Sequence, residues 1–281
     1  MFGRHLIGLA LLIATFSTAH ITVAAAQSDT DNITYLRIFY HKGIRCGYIE
    51  TPFSWHDKET KQVMGLASSM METFTHNLGI NLRWEEQITF GNMTAGLTEN
   101  RYDAVCTPTI FKVDGARNGT YTDPLFFTGI FAYKLQGQES QITNIRDLNR
   151  SEFVLTFKQG SNEEKLAKKL YPKAKKLAVP SKGTLKDVIK NMIDGTAQYA
   201  VLSPSDAVEY NQQNDTKIEK LNDEPLRIFP YRLAFPADEF RLKHIFDLTI
   251  EDMINNGQMD AVLDLYDENR ELYIRRKTPF R

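Results

Sequence analysis

From residue 44 onward, short apolar runs alternate with amphipathic stretches, and this alternation predicts the elements. Ile44–Ile49 (IRCGYI) reads as a buried strand that ends at Thr51-Pro52-Phe53. A polar turn over 56–63 follows. Gly65 then opens a helix whose apolar positions Leu66, Met70, Phe74 and Leu78 recur every fourth residue until Gly79 closes it. Ile80–Trp84 is a second strand, Asn92–Glu99 a short helix and Tyr102–Cys106 a third strand. Strand–helix–strand–helix–strand is the order of a parallel sheet with helical crossovers.

Past Asp123-Pro124 the strand Gly129–Leu135 leads into the polar stretch Gln136–Gln141, and the pattern restarts. Phe153–Phe157, Leu177–Val179 and Tyr199–Leu202 read as strands. Ser161–Leu170, Thr184–Ile193 and Pro204–Tyr210 read as the helices between and after them. Ile228–Phe235 runs back as a strand, followed by an amphipathic helix over Phe240–Asn256, ended by Gly257, and a last helix over Met259–Tyr266. The expected fold is α/β: two βαβ lobes joined by two crossover strands, with a crevice between the lobes. Such crevices are favoured ligand sites, and hinged closure around ligand is a known motion.

Composition changes this picture little. The 281 residues suffice for a sizeable core, and 42% hydrophobic with 25% charged residues is ordinary for a soluble domain. Lys+Arg (34) and Asp+Glu (35) nearly cancel, so charge gives no case for nucleic acid. The one basic run, Arg275-Arg276-Lys277 with Arg281, reads as a solvated tail over 271–281.

Residues 1–26 read as a secretory signal. Arg4 and His5 precede the apolar Leu6–Phe16, and Ala24-Ala25-Ala26 offers a cleavage site before Gln27. A membrane anchor is the rival, weakened by Ser17, Thr18, His20 and Thr22. In an oxidising compartment Cys46 and Cys106, the only cysteines, either pair across neighbouring strands or stay as two small buried hydrophobes.

Candidate chemistry gathers at strand ends. The stretch Arg101–Phe127 is a strand that breaks into a loop of small hydroxyl residues, with Thr107 and Thr109 flanking Pro108, and it carries Arg117. Ser161 with Glu164 forms a Ser-x-x-Glu capping box behind Lys158 and Gly160. The same residues, with Asn162, could hold an anionic ligand group on the helix N-terminus. Ser203-Pro204-Ser205-Asp206 has the same look, so Ser203 is a cap or a ligand contact. Glu50, at the end of the first strand, could receive a cation, and Phe53 and Trp55 are pocket walls or core. The acids Glu50, Glu86 and Asp103 are available for catalysis, but no Ser/His/Asp or Cys/His constellation, metal cluster or dinucleotide loop is present in the sequence.

In order and spacing these residues resemble one family. The fragments are Ile44-Arg45-Cys46-Gly47-Tyr48 with Pro52-Phe53, Gly65 through Leu78-Gly79, Arg101-Tyr102-Asp103-Ala104, Thr122-Asp123-Pro124, Ile145-Arg146-Asp147-Leu148, Gln159-Gly160-Ser161 and Asn256-Gly257-Gln258-Met259-Asp260. Over about 35–268 the chain resembles the bacterial extracytoplasmic solute-binding proteins of family 3, the polar amino-acid type that serves ABC transporters. The resemblance implies the two-lobed periplasmic binding protein type II fold. It divides the chain into a first lobe over 34–135, a second over 136–227, and a return strand with C-terminal helices over 228–270 completing the first. It also implies a periplasmic monomer without cofactor or metal that captures a small polar or anionic metabolite and hands it to a permease in the inner membrane.

The resemblance places Phe90 as a wall against the ligand and Thr107 and Thr109 in the loop that holds it. The family's carboxylate-binding arginine falls at Gly115, two residues from Arg117, and its ammonium-binding acid falls at Ser203. Both charged anchors for an α-amino acid are therefore absent from their usual places, and an ammonium buried without a counter-charge is costly. Lyases of the prephenate or arogenate dehydratase kind, and sensing or partner proteins, share the fold and stand as alternatives.

Overall fold

The computed structural model describes residues 33–111, 117–140 and 142–276; the secretory signal expected over 1–26 lies outside them. In chain order the elements are α1 (Ile33–His41), β1 (Gly43–Ile49), the hairpin β2 (Trp55–His56) and β3 (Val63–Met64), α2 (Leu66–Leu78), β4 (Asn81–Ile88), α3 (Ala95–Thr98), β5 (Ala104–Thr109), β6 (Thr120–Tyr121) and β7 (Phe126–Leu135). A 3-10 turn at Ile145–Leu148 precedes β8 (Val154–Lys158), α4 (Asn162–Leu170), β9 (Lys175–Val179), α5 (Leu185–Ile193), β10 (Tyr199–Leu202), α6 (Pro204–Gln213) and β11 (Ile218–Lys220). The chain returns through β12 (Arg227–Phe235) to α7 (Phe240–Asn255) and α8 (Gln258–Asp264).

A ten-stranded sheet in the order β4-β1-β5-β12-β7-β10-β8-β9 unites these elements, with β6 on β12 and β11 on β7. β1 pairs in parallel with β4 and β5 at one end, and β8 pairs in parallel with β9 and β10 at the other. The two crossover strands meet antiparallel in the middle, from Arg227 opposite Ile130 to Tyr231 opposite Phe126. Two sets of packed side chains lie on either side of them. In the first lobe Met70, Met71 and Phe74 of α2 are fully buried with Ile44 and Cys46 of β1, and Phe246 of α7 stacks on Phe74 at 5.5 Å. In the second, Leu155, Phe157 and Val201 pack with Leu166 and Ala167 of α4. Each large side chain so buried contributes about 1.5–3 kcal/mol.

Local chemistry explains the turns between elements. Gly65 has φ 104, and a Cβ there would stand 2.6 Å from the Phe53 carbonyl oxygen, so the entry to α2 admits only glycine. Cys46 and Cys106 form a disulfide between adjacent strands, with Cα atoms 5.5 Å apart.

Two regions depart from the sequence reading. Residues 33–41, rich in aromatic and β-branched side chains and assigned no element from the sequence, form α1. The reason is tertiary: the buried Glu239 carboxylate accepts the Thr34 N–H at 2.6 Å and the Tyr35 N–H at 3.3 Å, satisfying the orphan donors at the helix start. The basic run is not a solvated tail over its described part. Arg275 is 11% exposed and donates to Asp264 at 2.7 Å and Asp267 at 3.2 Å. Ile274 exchanges two backbone hydrogen bonds with Phe127 at 2.7 and 2.9 Å. Acidic residues at the end of α8 supply the counter-charges that hold this segment down.

One buried hydroxyl, Tyr133 Oη, has no partner, and burial, with smaller contributions from Glu271 and Asp206, pushes its ionisation upward. Replacing Tyr133 by phenylalanine removes an orphan polar group whose desolvation costs about 1–3 kcal/mol. The expected result is a higher urea midpoint with an unchanged slope. A loss of stability would show that the hydroxyl has a partner.

Candidate functional site

Between the lobes lies a cavity of about 660 Å³. Ile110 and Phe111, just past β5, form its wall in the first lobe. Asn162, Lys165, Leu166 and Lys169 of α4 face them from the second, and Ile130 with Arg227–Pro230 of the crossover strands completes the lining. Strand β5 ends there because Thr109 is its last paired residue, opposite Arg232. Helix α4 presents Lys165, Leu166 and Lys169 together because residues three and four apart share a helix face. Among the described residues of the lining, the charged groups are Lys165, Lys169 and Arg227, with no carboxylate.

The residues singled out in the sequence are distributed unevenly around this cavity. Asn162 lines it. Gly160 and Ser161 immediately precede Asn162, but their donors and acceptors serve the chain itself. Ser161 Oγ accepts the Glu164 N–H at 3.1 Å, and Glu164 accepts the Gly160 N–H at 2.6 Å. The Glu164 carboxylate, with its pKa lowered first by Lys168 and then by the Gly160 N–H, stands where an anionic ligand group was expected at this helix end. Gly160, at φ 81, makes the turn that allows this. Lys158 is exposed at the end of β8 and does not line the cavity.

The other candidates are also engaged elsewhere. Ser203 Oγ caps α6, accepting the Asp206 N–H at 3.2 Å and donating to the Asp206 carboxylate at 2.7 Å. Thr107 is fully buried. Its hydroxyl accepts the Ile49 N–H at 2.9 Å and shares a 2.8 Å hydrogen bond with Ser54, tying the end of β1 to β5 rather than facing the crevice. Thr109 is buried as well. Phe53 packs among Phe126, Tyr231 and Tyr273, with ring centroids 5.0–6.2 Å away, and so belongs to the core. Phe90 is 59% exposed, and Glu50 and Arg117 are exposed; none of the three lines the cavity. Gly115 lies outside the described residues.

Lys165, Lys169 and Arg227 escaped the sequence reading, although one signal was available. On α4, Lys168 has Glu164 four residues before it and pairs with it at 2.8 Å, whereas Lys165 and Lys169 have no acid at that spacing. Replacing Ser161 by alanine is expected to cost about 1 kcal/mol of stability, the worth of a helix cap, and to leave ligand affinity unchanged. Urea denaturation of the variant checks the first and calorimetric titration the second. Other cavities exist, one of about 640 Å³ beneath the β2–β3 hairpin beside Tyr48 and Trp84, and one of about 430 Å³ beside Tyr133 and α6. The second is lined by α6 and β11 together with Arg270 and Glu271, away from the crossover-strand cavity. Among the described residues no group of three or more His, Cys, Asp or Glu could hold a metal ion.

With the geometry in hand, comparison with known proteins is informative. The model of bacterial extracellular solute-binding proteins, family 3, matches residues 44–268. The chain is similar to the L-cystine solute receptor of Neisseria gonorrhoeae in its unliganded open conformation, at 16% identity and TM-score 0.67, over 83% of this chain and 95% of that one. An ancestral cyclohexadienyl dehydratase aligns at 16% identity and TM-score 0.64, over 81% and 93%. A putative binding component of an ABC transporter from Wolinella succinogenes, complexed with lysine, aligns at 18% identity and TM-score 0.54, over 79% and 94%. No curated protein matches the chain. At these identities the solved structures establish the fold, the two-lobed periplasmic binding protein type II architecture.

Proposed function

The chain belongs to the bacterial extracellular solute-binding proteins, family 3, and on that premise we propose that it captures a small polar or anionic metabolite, an amino acid or related carboxylate, between its lobes and delivers it to an ABC importer. The observation that carries this reading is the cavity at the crossover strands, lined by both lobes and bearing Lys165, Lys169 and Arg227 with no carboxylate among its described lining residues. A site of this kind closes by hinge motion around its ligand. Among the described residues no helix is long and apolar enough to cross a membrane. The reading places the protein in the periplasm after cleavage near Ala26.

Binding is favoured over catalysis by the same lining. A lyase needs a placed acid or base. The carboxylates considered for that role lie elsewhere: Asp103 is fully buried in ion pairs with Arg37 and Arg45, Glu86 pairs with Arg101, and Glu50 is exposed outside the cavity.

The test is a thermal-shift panel of amino acids, keto acids and small carboxylates on the chain from Gln27 onward. A ligand at a hundred times its dissociation constant stabilises by about 2.7 kcal/mol, so at least one member is expected to raise the midpoint by several degrees. A flat panel contradicts solute capture, and turnover of prephenate or arogenate would establish the lyase.

A further inference from the structure

We infer that the ligand of the interlobe cavity is a dianion with an apolar body and no free ammonium group. This inference rests on the reading of the cavity as the solute site and specifies its chemistry. Lys165 and Lys169 stand four residues apart on α4, and Arg227 faces the same cavity from the start of β12. Among the described residues no ion pair engages any of the three, whereas Lys168 on the same helix is held by Glu164 at 2.8 Å. Glu164 is hydrogen-bonded to Gly160 and paired with Lys168, with only a weaker electrostatic coupling to Lys165, and Glu163 does not line the cavity.

Arg227 is also pre-positioned. Its guanidinium lies over the Phe229 ring at 4.8 Å. A guanidinium held by such a cation–π contact keeps N–H donors available to take a carboxylate two-pronged. The rest of the wall is apolar, with Ile110, Phe111, Ile130, Leu166 and Phe229 surrounding the space between the cations.

Charge balance then selects the ligand. Three like charges around one cavity repel, and a single carboxylate leaves two of them uncompensated. The three cations are solvent-exposed here. Once the lobes close around a ligand, an α-amino acid adds a fourth positive charge with no carboxylate among the described lining residues to pair with it. A buried unpaired ammonium is disfavoured. Two anionic groups, one toward Arg227 and one toward the lysine pair, neutralise most of the lining, while an apolar skeleton fills the wall between them.

Three probes with a shared skeleton isolate the effect: phenylsuccinate (two carboxylates), 3-phenylpropionate (one) and phenylalanine (one, with an ammonium). In calorimetric titration of the chain from Gln27 onward, phenylsuccinate is expected to bind at least tenfold more tightly than 3-phenylpropionate, with phenylalanine weakest. Raising the salt concentration should weaken the first most. Arg227→Gln, and separately the double variant Lys165→Gln/Lys169→Gln, should each remove that tenfold preference with the melting temperature shifted by no more than a degree or two, since all three side chains are solvent-exposed. Equal binding of mono- and dianion, tighter binding of phenylalanine, or no binding of phenylsuccinate overturns the inference. The wider thermal-shift panel decides separately whether the cavity is a solute site at all.

Discussion

Replacing Asp103 by alanine is expected to destabilise the protein by about 3–5 kcal/mol, because it leaves two arginines without their buried counter-charge. The Asp103 side chain is wholly shielded from solvent, while those of Arg37 and Arg45 are 25% and 26% exposed. One carboxylate oxygen accepts Arg45 Nε at 3.1 Å and Nη2 at 2.8 Å, and the other accepts the Arg45 N–H at 2.8 Å. Arg37 reaches the same carboxylate from α1. The pair therefore joins α1, β1 and the start of β5 at one point. Urea denaturation should show a lower midpoint with an unchanged slope. A loss below about 1 kcal/mol, the range of exposed pairs, would contradict this account.

The disulfide carries the second large effect. Cys46 and Cys106 are fully buried, and the bond closes a separation of 60 residues. Constraining so long a loop in the unfolded chain is worth about 2–4 kcal/mol, so the double variant Cys46→Ala/Cys106→Ala should lose that amount. Mild reductant should leave the folded protein untouched, because no solvent reaches the sulfurs, and should weaken it to the variant's level once it unfolds. Two free thiols on denatured, unreduced protein made in an oxidising compartment would contradict the bridge.

Sequence pattern reached the scaffold more easily than the site, and the residues show why. Strands such as β1, expected over Ile44–Ile49 and found over Gly43–Ile49, are apolar runs buried on both faces, so their signal is local. Likewise β12 was expected from Ile228 and begins at Arg227. Helix α1 was invisible because its start is satisfied by Glu239, about two hundred positions later in the chain. The docked tail was missed because Arg275 finds Asp264 and Asp267 only after the chain turns at the end of α8.

The site was harder to read for a chemical reason. Serine and threonine beside glycine or proline look alike whether they cap a helix or hold a ligand. Ser161 and Ser203 cap helices, and Thr107 braces two strands. The cavity's cations come instead from one helix face and the first residue of a returning strand, positions that only the fold brings together. Of the expected site residues, Asn162 alone lines that space.

The central claim is that the interlobe cavity captures an anionic solute, and native mass spectrometry of the protein purified without denaturation tests it most directly. The account predicts one small anionic species per chain, released on denaturation and absent from the Arg227→Gln and Lys165→Gln/Lys169→Gln variants. A wild-type chain that neither carries nor takes up any small solute, or a ligand retained equally by those variants, would contradict it.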